Sequence, residues 1–549
     1  MSEVSQTRPD SRPAQRSPAA AEVPIGDIGG AVAPAVVYPT AFLEGAAVIV
    51  VEIAGARALA PFFGTSLQVW TAQITVTLLF LALGYGLGGL LARRIRPWTL
   101  AALFGVAGLW LVFYPLMRTP LLDFASSRLG VAMGSLLSAA LLFGVPLLML
   151  GAVSPVLIAY IDRRRPGAGS AAGRLFFTNT MGGLVGGWVT AFVLIPHSSL
   201  RWSLMSCGLG LLLLALLWVL LTRSRAVSAI GAMLAIAAAV FILHQPSRAF
   251  VDRHGTSFEL RHSAQSGIGL LQVLDYPYSR QMLINGVVQS EMDRATGRSV
   301  RSDSRLDYIH NLHLVSHSHH PRAATALQLG LGAGLLPKEL ALRGVKVTAV
   351  EIEPQMLALA RAHFDLPGEI DVRIADGRSF LRRDGTKYDL IFLDTFASES
   401  TAWYLLTTEA FAEMKQRLNP GGRLVINTVA YADPKKPGLE RVEATLRAVF
   451  PEALVYPEPI GAEAIESDPE QLINATLVAG ERLEAQMVLP DASYRMTSLA
   501  QLLSTARPAG AESVAMTDDR SDLDYAQAPL RVRWRTLIWN ALESNLLWD

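Results

Sequence analysis

Residues 324–334, ATALQLGLGAG, place three glycines directly after a run of apolar residues. The run predicts a buried strand, and the LLPKELALRG that follows the glycines predicts a helix. A second strand, VKVTAVEIEP, then ends in an acid, Glu351. Glycines at such a turn let the backbone approach a ligand closely. The acid can accept hydrogen bonds from both hydroxyl groups of a ribose. The stretch therefore predicts an α/β fold that binds a nucleotide.

The alternation of helices and strands continues beyond this stretch. Helix QMLALARAHF, strand IDVRIADG, strand YDLIFLD, helix TTEAFAEMKQRLN and strand RLVINTV follow in turn. Such repetition predicts a parallel, doubly wound sheet that binds its ligand at the carboxyl ends of the strands. Gly330, Glu351, Asp376 and Asp394 all fall at these ends. We assign residues 306–500 to this domain.

The chain of 549 residues is too long for one ordinary domain, and 51% hydrophobic residues against 17% charged is unusual for a soluble protein. Residues 1–36 are rich in Pro, Ser, Ala and Arg, which predicts a disordered tail and no signal peptide. About seven apolar runs then predict a multi-pass α-helical membrane domain over residues 37–246. The runs are 38–60, 69–92, 98–117, 132–159, 175–196, 202–222 and 227–245.

Arginines cluster in alternate connections of this region, which places the amino terminus in the cytoplasm by the positive-inside rule. An odd number of spans would put everything after residue 246 on the other side. However, the run 132–159 contains Pro146 and Pro155 and is long enough to hide a re-entrant piece. One miscounted span reverses the result.

Short β-rich runs separated by turn residues, among them Asn285-Gly286, predict a small antiparallel β-hairpin subdomain over residues 247–305. The helix that follows carries His310, His313 and His317 on one face. No carboxylate or cysteine completes a recognised ligand spacing, so we favour packing histidines and predict no metal.

The formal net charge is only +1, and no basic run with interleaved aromatics occurs, so nucleic acid is not an expected partner. Residues 501–549 predict a carboxyl-terminal tail that contains an amphipathic helix, LRVRWRTLIWNALESNLLW. This helix either lies on the bilayer or packs against the nucleotide domain.

The glycine turn, Glu351, the Asp-Gly after the third strand and LNPGG resemble the Rossmann-like methyltransferase superfamily, which binds S-adenosylmethionine and its relatives. A nicotinamide site is the weaker alternative. LINGVVQSE, DYIHNLHL, VEIEP, ADGRSFL and YDLIFLDTF also come in the order seen in the spermidine synthase family of polyamine aminopropyltransferases. The similarity spans residues 257–480, and the layout resembles the membrane-fused bacterial members.

The resemblance implies that Glu351 holds the ribose, that Asp376 and Gly377 hold adenine, and that Gln289 and Tyr308 line the nucleoside and amine cleft. The implied nucleotide-binding residues are Gly330, Gly332, Gly334, Glu351, Asp376, Gly377 and Gln289. The implied amine cleft contains Tyr308, Asp394 and Tyr456.

Two positions depart from the family pattern. Ala333 stands where the family carries an aspartate that grips the amine end of decarboxylated S-adenosylmethionine, and Ala397 stands where the family carries its catalytic aspartate. A general base contributes typically about 100-fold to 10,000-fold, and alanine cannot supply one. Asp394 and Glu399 are the candidate replacements.

Three functions stay open on the sequence. The first is an aminopropyltransferase that uses decarboxylated S-adenosylmethionine as co-substrate and a polyamine or other amine as acceptor. The second is an S-adenosylmethionine-dependent methyltransferase. The third is a catalytically silent nucleoside-binding or polyamine-binding regulator of the membrane domain.

The expected location is a bacterial-type cytoplasmic membrane, with the lipid bilayer as a partner. The sequence leaves the oligomeric state open, and a homodimer is one of the alternatives. Because S-adenosyl nucleotides are cytosolic, we expect the carboxyl-terminal domain in the cytosol. This expectation conflicts with the counted parity of the spans.

Overall fold

The computed structural model describes residues 34–96, 98–162, 168–222, 229, 231–236, 239, 249–252, 255–300 and 308–541. Residues 1–33 of the predicted tail and most of the seventh predicted apolar run, 227–245, lie outside the described residues.

Five apolar helices form the amino-terminal part. By length and composition, all five are long and apolar enough to cross a membrane. They are α1 (Pro34–Phe63), α2 (Leu67–Ala92), α3 (Thr99–Asp162), α4 (Ala168–Val189) and α5 (Leu200–Leu221). A π-helical turn over Thr190–Leu194 continues α4 and has Pro196 just beyond it.

Helix α3 covers two of the predicted runs, 98–117 and 132–159, which form its two legs. Gly130 interrupts it with a non-helical backbone, φ 68° and ψ −173°. The Trp110 indole donates to Leu142 O at 2.9 Å. A straight helix would separate these residues by about 48 Å, because each residue rises 1.5 Å. The two legs of α3 therefore fold back against each other as a helical hairpin.

Glycines allow helices α1 and α4 to touch along their backbones. A Cβ on Gly182 would lie 1.9 Å from Phe42 O, and one on Gly45 would lie 2.0 Å from Asn179 O. Close approach at small residues is typical of packed apolar helices, because it maximises van der Waals contact.

A five-stranded antiparallel sheet in the order β1-β2-β3-β4-β5 follows the helices. Asn285 and Gly286, both at positive φ (50° and 79°), form the two-residue turn between the last two strands. The strands are β1 (Ala249–Val251), β2 (Ser257–Ser266), β3 (Gly269–Asp275), β4 (Ser279–Ile284) and β5 (Val287–Asp293).

The carboxyl-terminal part is an α/β domain whose eight-stranded sheet has the order β15-β13-β14-β12-β9-β6-β7-β8. Its strands are β6 (Thr325–Leu329), β7 (Lys346–Glu351), β8 (Asp371–Ile374), β9 (Tyr388–Leu393), β12 (Leu418–Tyr431), β13 (Glu452–Pro457), β14 (Leu472–Gly480) and β15 (Arg507–Pro508). Strands β10 (Phe396–Ala397) and β11 (Ser400–Thr401) form a separate small hairpin.

The expectation of a purely parallel sheet is wrong. Strands β12, β9, β6, β7 and β8 run parallel, but β14 pairs antiparallel with both β12 and β13. Antiparallel strands commonly extend one side of a parallel sheet. Leu327, Ile391 and Phe392, at the centre of the sheet, are fully buried.

The helices of this domain are α6 (Tyr308–His319), α7 (Leu335–Ala341), α8 (Pro354–His363), α9 (Gly377–Arg383), α10 (Thr408–Gln416), α11 (Glu440–Val449), α12 (Ala462–Ser467), α13 (Met496–Ser504), α14 (Leu523–Ala526) and α15 (Ala528–Ala541). The last helix, α15, contacts both α1 and α3. Its Arg535 also reaches the β10–β11 hairpin and the β4–β5 turn. It therefore lies where the apolar helices, the antiparallel sheet and the α/β domain meet.

Candidate functional site

A cavity of about 1210 Å³ lies at the carboxyl ends of the parallel strands and extends under the antiparallel sheet to helix α15. Ligand sites usually have about 300–1,000 Å³, so this space is large enough for two adjacent ligands. One end is formed by the turns after β6, β7 and β8, and we call it the nucleoside end. The other end, which we call the acceptor end, is formed by the antiparallel sheet, the β10–β11 hairpin, the start of β14 and α15.

The glycine turn after β6 forms one wall of the nucleoside end. Gly330 has φ 88°, and a Cβ there would lie 2.1 Å from Asp394 O. Gly330 and Gly332 line the cavity. Gly334 does not line it, because this residue is the left-handed N-cap of α7 and packs against Leu366. Two of the three predicted glycines therefore face the ligand space.

Glu351 ends β7 and lines the cavity as predicted for a ribose-binding acid. Its carboxylate accepts backbone N–H groups of Leu331 and Glu353, each at 2.9 Å. Burial raises the pKa of Glu351, while these backbone bonds oppose the shift. The two bonds fix the orientation of the carboxylate, because each of its oxygens accepts one of them.

Asp376 and Gly377 begin helix α9. Gly377 lines the cavity, but Asp376 is not among its lining residues. The Asp376 carboxylate caps α9 by accepting the Ser379 N–H at 2.8 Å. Burial raises the pKa of Asp376, but hydrogen bonds from Ser379 and Tyr404 outweigh burial and lower it overall. The role of Asp376 at adenine stays a prediction.

Asp394 lies between the two ends, where β9 stops. Asn427 on the neighbouring β12 donates to its carboxylate at 2.9 Å. Burial raises the pKa of Asp394 to about 6, although hydrogen bonds from Asn427 and Tyr308 act in the opposite direction. The single Tyr308 hydroxyl proton has a second acceptor in reach, Gln289 O at 3.0 Å, so the two acceptors share it. The structure therefore brings Gln289, Tyr308 and Asp394 together, as the sequence predicted.

Ala397 lines the cavity from the β10–β11 hairpin, close in the chain to Asp394. Ala333, the other departure from the family pattern, is fully buried and outside the cavity lining. Neither position supplies a carboxylate.

The structure does not bring Glu399 into the cavity. Its carboxylate is buried and pairs with Arg535, and it accepts the Thr65 N–H at 3.3 Å. A carboxylate held by a buried cation on the far side of the hairpin cannot reach an acceptor in the cavity. The proposed replacement by Glu399 is therefore wrong for this arrangement.

Tyr456 also lies outside the cavity lining. Its ring is buried, and its hydroxyl contacts His319 Nε2 at 2.7 Å. The contact places Tyr456 beneath helix α6 rather than in the amine cleft, since β13 lies on the side of β14 that faces away from β12 and Tyr456 is not a lining residue.

Several residues at the acceptor end were missed in the sequence. Asp252, Tyr276 and Glu291 come from the antiparallel sheet, Asp468 follows α12, and Trp534 comes from α15. Burial raises the pKa of Tyr276 to about 12, and the carboxylates of Asp252 and Glu291 add to the shift. No sequence motif joins these positions, because they come from three distant segments.

The cavity has a strongly one-sided charge. Its lining residues include five carboxylates, and within the described part of the chain they include no lysine, arginine or histidine. The carboxylates are those of Asp252, Glu291, Glu351, Asp394 and Asp468. Asp468 is also paired with Arg533 at 2.6 Å. The remaining negative charge favours cationic ligands and disfavours anionic ones.

The histidines of α6 pack around one tyrosine. His310 Nδ1 and His313 Nδ1 contact the Tyr494 hydroxyl at 3.0 and 2.7 Å. Burial lowers the pKa of His313 well below its usual value, and Arg343 lowers it further. Among the residues that the structure describes, no three His, Cys, Asp or Glu side chains form a metal-binding group.

Comparison with known proteins agrees with this fold. Residues 327–426 match the family described as "Methyltransferase domain". A "Probable polyamine aminopropyl transferase" of Bifidobacterium longum is 34% identical over 130 residues, which are 23% of this chain and 29% of that protein. The chain thus spans less than a third of the length of this relative.

A longer match joins the chain to a "Polyamine aminopropyltransferase 2" of Streptomyces coelicolor, with 27% identity over 426 residues, 70% of this chain and 72% of that protein. Among solved structures, a probable spermidine synthase from Corynebacterium glutamicum is 20% identical, with a TM-score of 0.39, over 48% of this chain and 98% of that chain.

The glycine turn, the strand-end acids and the sequence matches agree on one relationship. The chain carries a Rossmann-like methyltransferase domain and is related in sequence to proteins named polyamine aminopropyltransferase.

Proposed function

We propose that this protein transfers an aminopropyl group from decarboxylated S-adenosylmethionine to an amine acceptor. The observation that carries the proposal is the charge of the cavity, which has five lining carboxylates and, among the described residues, no lining cation. Decarboxylated S-adenosylmethionine has a sulfonium and an ammonium group, and its acceptor is an amine. The same cavity disfavours intact S-adenosylmethionine, because its carboxylate would meet uncompensated negative charge.

The transfer needs a neutral amine nitrogen next to the donor. This nitrogen attacks the aminopropyl carbon bonded to sulfur, the N–C bond forms, and the C–S bond breaks. The bonding electrons stay on sulfur, so the sulfonium becomes the neutral thioether of methylthioadenosine. The attacking nitrogen gains a positive charge and releases one proton to a base.

In this proposal, Asp394 accepts the proton. It lies between the nucleoside end and the acceptor end, and its pKa of about 6 leaves it mostly ionised at pH 7. A general base works best when its pKa lies near the operating pH. Hydrogen bonds from Asn427 and Tyr308 hold the carboxylate in place, and Ala397 lines the same cavity.

The proposal also places the protein in a membrane. Five helices are long and apolar enough to cross one, and the alternating arginines favour a cytoplasmic amino terminus. Because the nucleoside donor is cytosolic, we propose that the α/β domain lies in the cytosol. A reporter fused after residue 246 gives the side directly, and a periplasmic signal would contradict this part.

The activity test uses the full chain purified in detergent, with decarboxylated S-adenosylmethionine as donor and 1,4-diaminobutane as acceptor. We expect equal amounts of aminopropylated amine and methylthioadenosine. Omission of the diamine is the control, since slow donor breakdown also releases methylthioadenosine. Binding of the donor without any aminopropylated product across a series of diamines would overturn the proposal.

A methyltransferase is the second candidate, favoured by the match of residues 327–426 to a methyltransferase family. Its test is parallel calorimetry with S-adenosylmethionine and the decarboxylated form. Tighter binding of intact S-adenosylmethionine would favour methyl transfer, whereas tighter binding of the decarboxylated form would favour aminopropyl transfer.

A further inference from the structure

Arg535 occupies a buried position where four segments meet. Its guanidinium donates to Pro61 O at the end of α1 at 3.0 Å, and to Asn285 O in the β4–β5 turn at 2.7 Å. It also donates to Ser398 Oγ at 2.9 Å and pairs with Glu399 in the turn of the β10–β11 hairpin. The side chains of Arg535 and Glu399 are only 1% and 3% exposed.

The β10–β11 hairpin has two functional sides. Its strand residues Phe396, Ala397, Ser400 and Thr401 line the cavity, whereas its turn residues Ser398 and Glu399 face Arg535. Ser398 has φ 64°, a left-handed conformation that a serine adopts only when its surroundings hold it. The contacts to Arg535 provide such a hold, because they fix both turn side chains.

One hydrogen bond connects this turn to a residue that lines the cavity. Gln289, a lining residue, donates to Ser398 O at 3.3 Å. On the opposite side, the Glu399 carboxylate accepts the Thr65 N–H at 3.3 Å, in the loop between α1 and α2. Gly64 packs so closely that a Cβ there would lie 1.9 Å from Glu399 Oε1. The loop of the helical part therefore contacts the same carboxylate that holds the hairpin.

Trp534, the neighbour of Arg535, turns towards the other side of α15. It lines the cavity and meets Phe396 in a T-shaped contact with ring centroids 6.0 Å apart. Helix α15 thus holds the hairpin at its turn through Arg535 and at its cavity side through Trp534.

We propose that Arg535 is a positioning residue, which fixes the β10–β11 hairpin through Glu399 and makes the shape of the acceptor end depend on the α1–α2 loop. The inference rests on the proposed function only for the identity of the acceptor. Removal of one member of a buried ion pair leaves the other charge uncompensated, so single variants also risk unfolding. The double variant Arg535→Met with Glu399→Met replaces both charges by apolar side chains and avoids this risk.

The first measurement is amide hydrogen exchange of residues 396–401 in the full chain in detergent. We expect exchange to be about tenfold faster in the double variant than in the wild type, because the turn loses its fixed contacts. Strands β6, β7 and β9 serve as the internal reference and should not change. Equal hairpin exchange in both proteins would overturn the inference, whatever activity the wild type has.

The second measurement compares two ligands by calorimetry. Binding of 1,4-diaminobutane should weaken about tenfold in the double variant, whereas binding of methylthioadenosine should stay the same. With turnover, the KM for the diamine should rise, and the KM for the donor should not. Equal weakening of both ligands would indicate general damage and would contradict a positioning role.

The variant Gly64→Ala tests the link from the helical part, because the new Cβ displaces the Glu399 carboxylate without touching the cavity. We expect it to reproduce the faster exchange and the weaker diamine binding. Gly344→Ala is the matched control, since Gly344 has a similar φ, +76° against +83°, with nothing within 4 Å of an added Cβ. The same result from both glycine variants would contradict a link through Glu399.

A wild-type protein that binds methylthioadenosine but neither binds nor converts 1,4-diaminobutane would count against the proposed function. The hairpin exchange in the double variant and in Gly64→Ala would still decide the role of Arg535.

Discussion

The two ends of the cavity are built in different ways. The nucleoside end comes from one continuous stretch, from Gly330 to Gly377, in which each strand is followed directly by its ligand-facing turn. The acceptor end comes from an antiparallel sheet, a small hairpin, the start of β14 and a carboxyl-terminal helix. A site made by successive turns is set by local sequence, whereas a site made by distant segments depends on how they pack. Asp394 lies at the border of the two.

The largest effect is expected from a change at Asp394, which should lower the rate of transfer without changing nucleoside binding. Asp394→Asn should reduce aminopropyl transfer by about 100-fold to 10,000-fold, because the variant cannot accept a proton. Binding of methylthioadenosine should stay unchanged, as Glu351 and the glycine turn remain. Product formation and calorimetry measure the two quantities.

Asp371→Asn, on the exposed end of β8, is the matched control and should leave both quantities unchanged. An active Asp394→Asn protein would show that the base lies elsewhere. Because the pKa of Asp394 is higher in the folded chain, at about 6, than its ordinary value of 3.8, folding stability falls as the pH rises from 3.8 to 6 and stays at the lower value above pH 6. The variant should therefore unfold at the same or a higher temperature than the wild type at pH 7.

A change at the acceptor end should increase activity. Ala397→Asp places a carboxylate where the resembling family carries one, and we expect turnover to rise about 100-fold. Ala397→Asn is the control, because it adds nearly the same volume without a basic group. A similar rise with asparagine would show that the volume of the side chain matters and its proton affinity does not.

Gly330 tests the nucleoside end. An alanine there must keep φ near 88° and place its Cβ 2.1 Å from Asp394 O, so the turn has to move. We expect a loss of about 1–3 kcal/mol in the free energy of unfolding, together with loss of methylthioadenosine binding.

Gly421→Ala is the matched control for Gly330, since Gly421 has φ 78° and nothing within 4 Å of an added Cβ. This variant should retain nucleoside binding. Its free energy of unfolding should fall by only about 1 kcal/mol, the cost of an alanine in the left-handed conformation. Equal effects of the two variants on binding would mean that the close approach at Gly330 has no importance for the ligand.

The smallest expected effect is the pH dependence. Loss of the neutral amine lowers the rate of aminopropyl transfer over the whole pH range, and below pH 6 we expect a further fall of about tenfold per pH unit, as Asp394 becomes protonated and loses its ability to accept a proton. Initial rates at saturating donor between pH 5 and pH 8 measure this limb. Asp394→Asn should lack it, and a limb that persists in the variant would assign the titration to another group.

The contrast between a site built from successive turns and one built from distant segments explains which features were predictable from the sequence. Gly330, Glu351, Gly377 and Asp394 lie at strand ends or within three residues of them, so the hydrophobic pattern places them at one edge of the sheet. Arg535 could not be placed in this way, because its contact with Pro61 spans 474 residues of the chain. The same is true of Asp252 and Trp534 at the acceptor end.

The break at Gly130 falls between the predicted runs 98–117 and 132–159, so the hydrophobic pattern located the connection, although it gives no sign of the φ of 68°. One error has a clear physical cause. Glu399 was considered as a base because it is near Asp394 in the chain. Its partner Arg535, 136 residues away, holds it on the opposite side of the hairpin.

The negative lining of the cavity has a consequence for product release in the proposed reaction. The donor is a cation and its nucleoside product is a neutral thioether, so the attraction that recruits the donor does not retain the spent nucleoside. The amine product gains a positive charge, so the same attraction retains it, and salt should speed its release by screening that attraction.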